Sequence, residues 1–196
     1  MDRMDFIDED IELMLRFQSG DEACFERLAE LHKDRVFNMA CRFLGDYQEA
    51  EDTTQEVFLK IYRAKNIYRP QAKFTTWLYI ICKNTCLKAL DKKHPGTVSL
   101  DGIIELEEDA APMQAADPSS PSPVDSMVDS EAASVIKAAI DSLPPSQRMA
   151  VILCRYERLS YEEAAAVMLC SVKAVKSMLH RARVGLKEKL AAYFKK

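Results

Sequence analysis

Residues 159–190 read LSYEEAAAVMLCSVKAVKSMLHRARVGLKEKL, and this stretch decides the fold of the C-terminal part of the chain. Ser160 followed three residues later by Glu163 is a capping-box pattern, which predicts a short helix to about Met168. Residues 169–171 then interrupt the pattern, and the apolar residues that follow recur at the helical period. A short capped helix, a three-residue break and a long amphipathic helix together predict a helix-turn-helix.

The final helix of this pair has two chemically different faces. One face is apolar and suits packing; it carries Val172, Val175, Leu179, Ala182 and Leu186. The opposite face and its borders carry short polar groups and cations, which suit the base edges and phosphates of a DNA major groove. These predicted DNA-binding residues are Lys173, Lys176, Ser177, His180, Arg181 and Arg183. A solvated basic helix face is the plainer alternative, and the capped helix and break before it favour the DNA interpretation.

Upstream of this pair, the chain changes composition twice. From residue 130 an apolar stripe predicts a further helix that stops before Pro144-Pro145, and Ser146 is expected to cap the next one. Residues 94–129 hold five prolines among Ser, Ala, Asp and Glu, with few large apolar side chains. Such a segment buries too little apolar surface to fold, so we expect a flexible acidic linker between two domains, residues 1–93 and 130–196.

The N-terminal domain is also predicted to be helical. Gly20 and Gly45 are expected to end the first two helices, and Asp46 with Glu49 forms a capping-box pattern that begins a third. A fourth helix is expected from about Phe74 to Lys92. Because no stretch alternates with a strand period, the predicted fold class is all-α, with two small helical domains and a helix-turn-helix in the second.

Two surfaces of this domain have a composition that suits binding to a partner. On the third helix a charged patch includes an exposed leucine, which suits protein docking; its residues are Asp52, Gln55, Glu56, Leu59 and Arg63. The fourth helix and the loop before it combine aromatic, amide and cationic groups that suit unpaired nucleic acid: Tyr68, Arg69, Lys73, Phe74, Trp77, Asn84 and Lys88. Trp77 and Phe74 have a plain alternative role, which is to complete the domain core.

The charge distribution supports contact with DNA, although the net charge is −4. Residues 57–98 carry a balance of +8 and residues 131–196 a balance of +6, whereas residues 99–130 hold eight acidic and no basic residues. Two basic segments separated by an acidic one are typical of two separate nucleic-acid footprints.

Other classes of function find little support in the sequence. The three histidines are far apart and no phosphate-binding glycine loop or nucleophile motif appears, so we expect neither an enzyme nor a cofactor. The six cysteines include no CxxC pair, which favours buried thiols, although Cys82 and Cys86 share a helix face and leave a zinc or redox sensor open. Without a long apolar run or a signal-peptide pattern, we expect no membrane insertion and a cytoplasmic location.

Three stretches together resemble the extracytoplasmic-function group of the sigma-70 superfamily. They are EAEDTTQEVFLKIYRA at 49–64, FTTWLYIICKNTCLKALDKK at 74–93, and LPPSQRMAVILCRYERLSYEEAAAVMLCSVKAVKSMLHRARVGLKEKL at 143–190. Their order, with a linker between the second and third, makes the resemblance specific. One departure is Leu169, which stands where the turn of that family usually has glycine.

The resemblance implies a sigma factor that binds core RNA polymerase through its β′ and β subunits and directs promoter recognition, melting and initiation. It assigns polymerase docking to the patch on the third helix, the opened minus-ten strand to the set around the fourth helix, and the minus-thirty-five duplex to the final helix. It also implies an anti-sigma factor as a partner. The alternative is an autonomous helix-turn-helix regulator, which leaves the N-terminal domain without a purpose.

Overall fold

The computed structural model describes residues 9–95 and 131–194, and the regular structure in these two ranges is helical throughout. A 3₁₀ turn, Lys65–Ile67, follows the third helix, and a π-helical turn, Ile152–Tyr156, continues the sixth. The predicted linker, residues 94–129, lies outside the described residues except for its first two. The helices are α1 Glu9–Gln18, α2 Glu22–Leu44, α3 Tyr47–Arg63, α4 Phe74–Lys93, α5 Glu131–Asp141, α6 Pro145–Val151, α7 Tyr161–Met168 and α8 Val172–Phe194.

Most of the predicted helix ends are confirmed. Gly20 and Gly45 have φ values of 108° and 74°, a left-handed conformation that glycine adopts without steric cost. The Asp46 side chain accepts a hydrogen bond from the Glu49 backbone N–H at 3.0 Å. The Glu49 carboxylate, however, pairs with Lys93 at 2.8 Å, so it serves to tie the start of α3 to the end of α4.

The predicted start of α6 is wrong by two residues. The helix begins at Pro145 and not after a Ser146 cap. Proline is well suited to the first helical position because its missing N–H would have no partner there and its φ is already helical.

The N-terminal unit, α1 to α4, packs around an apolar interior supplied by all four helices. Met14 and Phe17 of α1 and Phe43 of α2 are fully buried. The fourth helix is covered on nearly every side, since Tyr79 and Cys82 are buried along with the polar residues Lys83, Asn84 and Thr85. A helix buried all round lies at the centre of its assembly.

The C-terminal unit, α5 to α8, is smaller, and its core continues into that of the first unit. Met149, Ile152 and Val167 belong to the same apolar cluster as the buried side chains of α2 and α4. The sequence indicated two tethered units but gave no sign that they would pack together. In this structure α7 lies against α4, and the π-helical turn lies against α2.

Candidate nucleic-acid interface

The helix-turn-helix is built as the sequence predicts. The Ser160 side chain accepts from the Glu163 N–H at 3.1 Å, and the Glu163 carboxylate accepts from the Ser160 N–H at 2.9 Å, which completes the capping box. After Met168 the chain turns through Leu169, whose φ of 55° and ψ of 44° are left-handed. The Leu169 side chain is exposed. The turn therefore forms without glycine, and the Cβ of leucine makes this left-handed conformation sterically costly for the backbone.

The predicted contact face of α8 points into solvent. On the opposite side, Val175 and Ala182 are completely buried. Polar and cationic side chains on a helix that packs only by its other face are free to enter a groove. All six predicted DNA-binding residues are exposed: Lys173, Lys176, Ser177, His180, Arg181 and Arg183.

A basic cleft lies beside this face and includes two residues that the sequence reasoning missed. The cleft has a volume of about 530 Å³ and is lined on one side by Lys176, His180 and Arg183, and on the other by Arg155 and Tyr161. The Lys176 ammonium lies 5.6 Å from the centre of the Tyr161 ring, within range of a cation–π interaction. Neither Arg155 nor Tyr161 lies on α8, so the analysis of the α8 faces did not include them. Tyr161 directly follows the Ser160 cap and is the first residue of α7. This position is exposed when the start of the helix faces a groove.

The predicted docking patch on α3 is also on the surface. Its apolar member, Leu59, is 53% exposed, and Glu56 forms an ion pair with Lys60 at 2.8 Å within the helix. Tyr62, which was not predicted, is exposed at one edge and contacts the ring of Phe25. An exposed leucine and tyrosine among charges suit a protein partner. All five predicted residues, Asp52, Gln55, Glu56, Leu59 and Arg63, are exposed.

The set predicted to bind an opened strand is largely covered in this structure. Tyr68 and Phe74 are 2% and 1% exposed, so both rings belong to the core; for Phe74 this was the plain alternative. Trp77 is partly buried, with its ring centre 4.9 Å from that of Tyr68 and 6.0 Å from that of Phe74. Asn84 is 7% exposed. These side chains do not present a stacking platform to solvent here.

The cations of the same set differ in their surroundings. Arg69 is exposed and donates to the Asn66 and Tyr68 carbonyl oxygens at 3.0 Å, which fixes the loop before α4. Lys88 is partly buried. The Lys73 ammonium lies 3.3 Å from the carboxylate of Glu163, a residue of the other unit.

Further polar contacts join the two units. The Tyr79 hydroxyl of α4 donates to the Glu157 carboxylate at 2.6 Å, and burial raises the Tyr79 pKa. Arg35 lies 3.6 Å from the same carboxylate and 5.6 Å from the Tyr79 ring centre. Arg148, whose pKa burial lowers, donates to the Phe43 carbonyl at 2.7 Å. A single sequence carries no signal for such pairings.

The thiols of α4 have the properties of a packed interior. Cys82 and Cys86 are fully buried, and a hydrogen bond between them together with burial raises the Cys82 pKa well above its usual value. A protonated buried thiol is a poor nucleophile and a poor metal ligand. Within residues 9–95 and 131–194, no group of three or more His, Cys, Asp or Glu side chains is arranged to hold a metal. Nor is any helix in these ranges long and apolar enough to span a bilayer.

Comparison with known proteins assigns both units. Residues 28–95 match the family model described as Sigma-70 region 2, and residues 134–186 match Sigma-70, region 4. The two matches together span more than half of the chain. A region 2 match in the N-terminal unit does not favour an autonomous helix-turn-helix regulator.

Individual relatives agree with the family models. The ECF RNA polymerase sigma factor SigW of Bacillus subtilis is 30% identical over 182 residues, which cover 88% of this chain and 92% of SigW. The sigma-H factor of Pseudomonas aeruginosa is 40% identical over 78 residues, which cover 40% of each chain. The sigma factor RpoE of Bartonella quintana, solved with the anti-sigma factor NepR, is 25% identical with a TM-score of 0.60, covering 85% of this chain and 96% of RpoE. The chain belongs to the sigma-70 family as an RNA polymerase sigma factor of the extracytoplasmic-function (ECF) type.

Proposed function

We propose that this sigma factor docks on core polymerase through α3, captures the opened minus-ten strand with α4 and the loop before it, and reads the minus-thirty-five duplex with α8. The observation that carries the proposal is the coincidence of the region 4 match with a capped helix-turn-helix whose six predicted contact residues are all exposed. The members of the family regulate transcription initiation and are not enzymes.

The charges and faces support a division of labour along α8. Lys176 and Arg183 line the basic cleft, where ammonium and guanidinium groups suit phosphates. Ser177 and His180 carry short polar groups on the exposed face, which suit base edges. Phosphate contacts raise affinity for any sequence, whereas base contacts select among sequences.

The chain length allows both promoter elements to be held at once. Elements about 17 base pairs apart lie roughly 58 Å apart at about 3.4 Å per step. Residues 94–129, if extended, reach over about 100 Å. The linker therefore permits simultaneous contact, and the polymerase supplies the fixed spacing between the units.

An anti-sigma factor is a proposed partner, because the structural relative RpoE was solved with one. We place the factor in the cytoplasm, where polymerase and promoter DNA are found. A pull-down from the source cells with the full chain as bait tests the partner, and the expected result is a bound protein that blocks transcription when it is added back.

Transcription in vitro with core polymerase on a promoter library tests the proposed function. We expect transcripts that start downstream of one shared pair of elements, and no specific transcript from core polymerase alone. Leu59→Asp is expected to reduce both polymerase binding and transcription at least tenfold, because it puts a charge at the centre of the docking patch. Arg27→Asp, at an exposed α2 position outside the patch, is the matched control. A wild-type protein that starts no transcript would overturn the proposal.

A further inference from the structure

The loop between α3 and α4 has a small exposed tip on a buried base. The tip, residues 69–71, is exposed, whereas Tyr68 directly before it is buried, as is Phe74 at the start of α4. The tip is therefore the part of this loop that an opened strand can reach without unpacking the core. Its position depends on what holds the backbone beside it.

A side chain of α1 holds the backbone on one side of the tip. The Gln18 amide nitrogen donates to the carbonyl oxygens of Lys65 and Tyr68, the latter at 3.0 Å. A side-chain amide has two N–H groups, so each carbonyl receives one. One carbonyl belongs to the first residue of the 3₁₀ turn Lys65–Ile67, and the other directly follows that turn. Gln18 therefore fixes both ends of the turn that leads into the tip.

The helix that carries Gln18 is anchored independently of this amide. Met14 and Phe17 of α1 are fully buried, and the Phe17 ring centre lies 4.9 Å from that of Phe25 in α2. These apolar contacts do not involve the side chain at position 18. Losing the amide should therefore release the loop while α1 stays packed.

The Tyr68 carbonyl connects α1 to the tip. Besides the Gln18 amide, it accepts a hydrogen bond from the Arg69 guanidinium at 3.0 Å, and Arg69 is the first residue of the tip. The peptide bond between the two residues is planar, so a movement of this carbonyl also moves the Arg69 backbone nitrogen. The place of the Arg69 side chain thus depends on the bond from Gln18.

We propose that Gln18 is a positioning residue for promoter selectivity, which holds the tip where Arg69 and Gln71 meet the opened minus-ten strand. The proposal rests on the strand-binding role proposed for this loop. A loop that is ordered before binding loses less conformational entropy when it binds, and its fixed shape rejects strands that do not fit. A loop released from α1 adapts to more sequences, so base selectivity falls while transcription continues.

The test is Gln18→Met in the full-length chain, which keeps the length of the side chain and removes both donors. Transcription with core polymerase on a library with a randomised minus-ten element measures base selectivity. We expect the preference for the best base over the next to fall by about fivefold at one or more positions, the equivalent of one net hydrogen bond. Because the docking patch on α3 is untouched, affinity for core polymerase should equal that of wild type.

Trp77 gives a spectroscopic readout that does not depend on transcription. It is the one tryptophan of the chain, and its ring centre lies 4.9 Å from that of Tyr68. When Gln18 no longer fixes the Tyr68 backbone, the Tyr68 ring shields Trp77 less well. Acrylamide should therefore quench the emission of Gln18→Met more strongly than that of wild type. Circular dichroism checks that helix content is kept.

Two further variants separate the donor role from side-chain shape and from a general effect of methionine. Gln18→Glu keeps the native shape but turns a carboxylate toward two carbonyl oxygens, so it should reduce selectivity at least as much as Gln18→Met. Glu12→Met places the same methionine at an exposed position of α1 and is expected to match wild type in both assays.

The outcomes are distinct. Wild-type base selectivity in Gln18→Met, or an equal loss of transcription on every sequence, would overturn the positioning role. A change in Trp77 quenching and in base selectivity together, absent from Glu12→Met, would support it. Failure of the wild type to start transcripts would overturn the proposed function, whereas the Trp77 data would still report whether Gln18 fixes the loop.

Discussion

Lys83 offers the sharpest test of the packing between the units. This lysine of α4 is 3% exposed, and burial lowers its pKa from 10.5 to about 8. A buried ammonium is destabilising relative to an apolar side chain of similar length. We predict that Lys83→Met stabilises the folded chain at pH 7.

The magnitude follows from the pKa. The fall from 10.5 to about 8 corresponds to roughly 3 kcal/mol at about 1.36 kcal/mol per pKa unit. Methionine also loses whatever contacts the ammonium makes, so the expected net gain is about 2–3 kcal/mol. For a chain of this size that gain raises the melting temperature by about 4–12 °C.

The gain must depend on pH with a definite sign. Below about pH 8 both the folded and the unfolded chain carry the Lys83 proton, so the whole penalty is present. Between about pH 8 and 10.5 the unfolded chain binds more protons at this site than the folded chain, so the penalty falls as pH rises. Near pH 9.5 about 1.4 kcal/mol of it remains, so the advantage of the variant should shrink by about 2 kcal/mol from its value at pH 7.

Urea unfolding of wild type and Lys83→Met at pH 7 and pH 9.5 measures this difference. The buried thiols and Tyr79 have raised pKa values, which make the folded state of both proteins less stable at high pH. Comparing wild type with the variant at each pH cancels this shared effect. Lys88→Met, at a less buried position on α4, is the matched control and is expected to change stability little. A gain for Lys83→Met that is independent of pH, or a net loss at pH 7, would refute the reasoning.

Three further predictions concern the helix-turn-helix. Ser160→Ala removes the cap bond to Glu163 and should lower stability by about 1 kcal/mol, seen as a fall of about 2–4 °C in thermal melting, whereas Ser177→Ala should leave melting unchanged. Leu169→Gly relieves a left-handed residue and should raise stability by about 0.5–1 kcal/mol in the same measurement; a lower melting temperature would show that the leucine side chain stabilises the turn. The third prediction concerns titrations with a library of duplexes. Lys176→Ala should lower the affinity for every sequence and reduce the slope of log affinity against log salt concentration by about 1, whereas Ser177→Ala should change the preferred bases. Equal losses of affinity on all sequences for both variants would contradict the division between phosphate and base contacts.

Local chemistry explains why the elements were predictable. The Ser160–Glu163 capping box, the glycines at 20 and 45 and the apolar stripe of α8 act over a few residues, so their outcome can be inferred without knowledge of the rest of the chain. The α6 boundary shifted only because Pro145 itself begins the helix. The exposed set on α8 follows from the stripe on its opposite side.

The covered face of α4 could not be inferred in this way. The hydrophobic pattern of α4 has no clear polar side. Tyr68 and Phe74 are core residues, and the sequence could not show this because an aromatic ring suits both base stacking and burial. The contacts that cover α4 join residues such as Tyr79 and Glu157, which are 78 positions apart. Long-range pairings of this kind depend on how two complete units meet, and no local spacing encodes them.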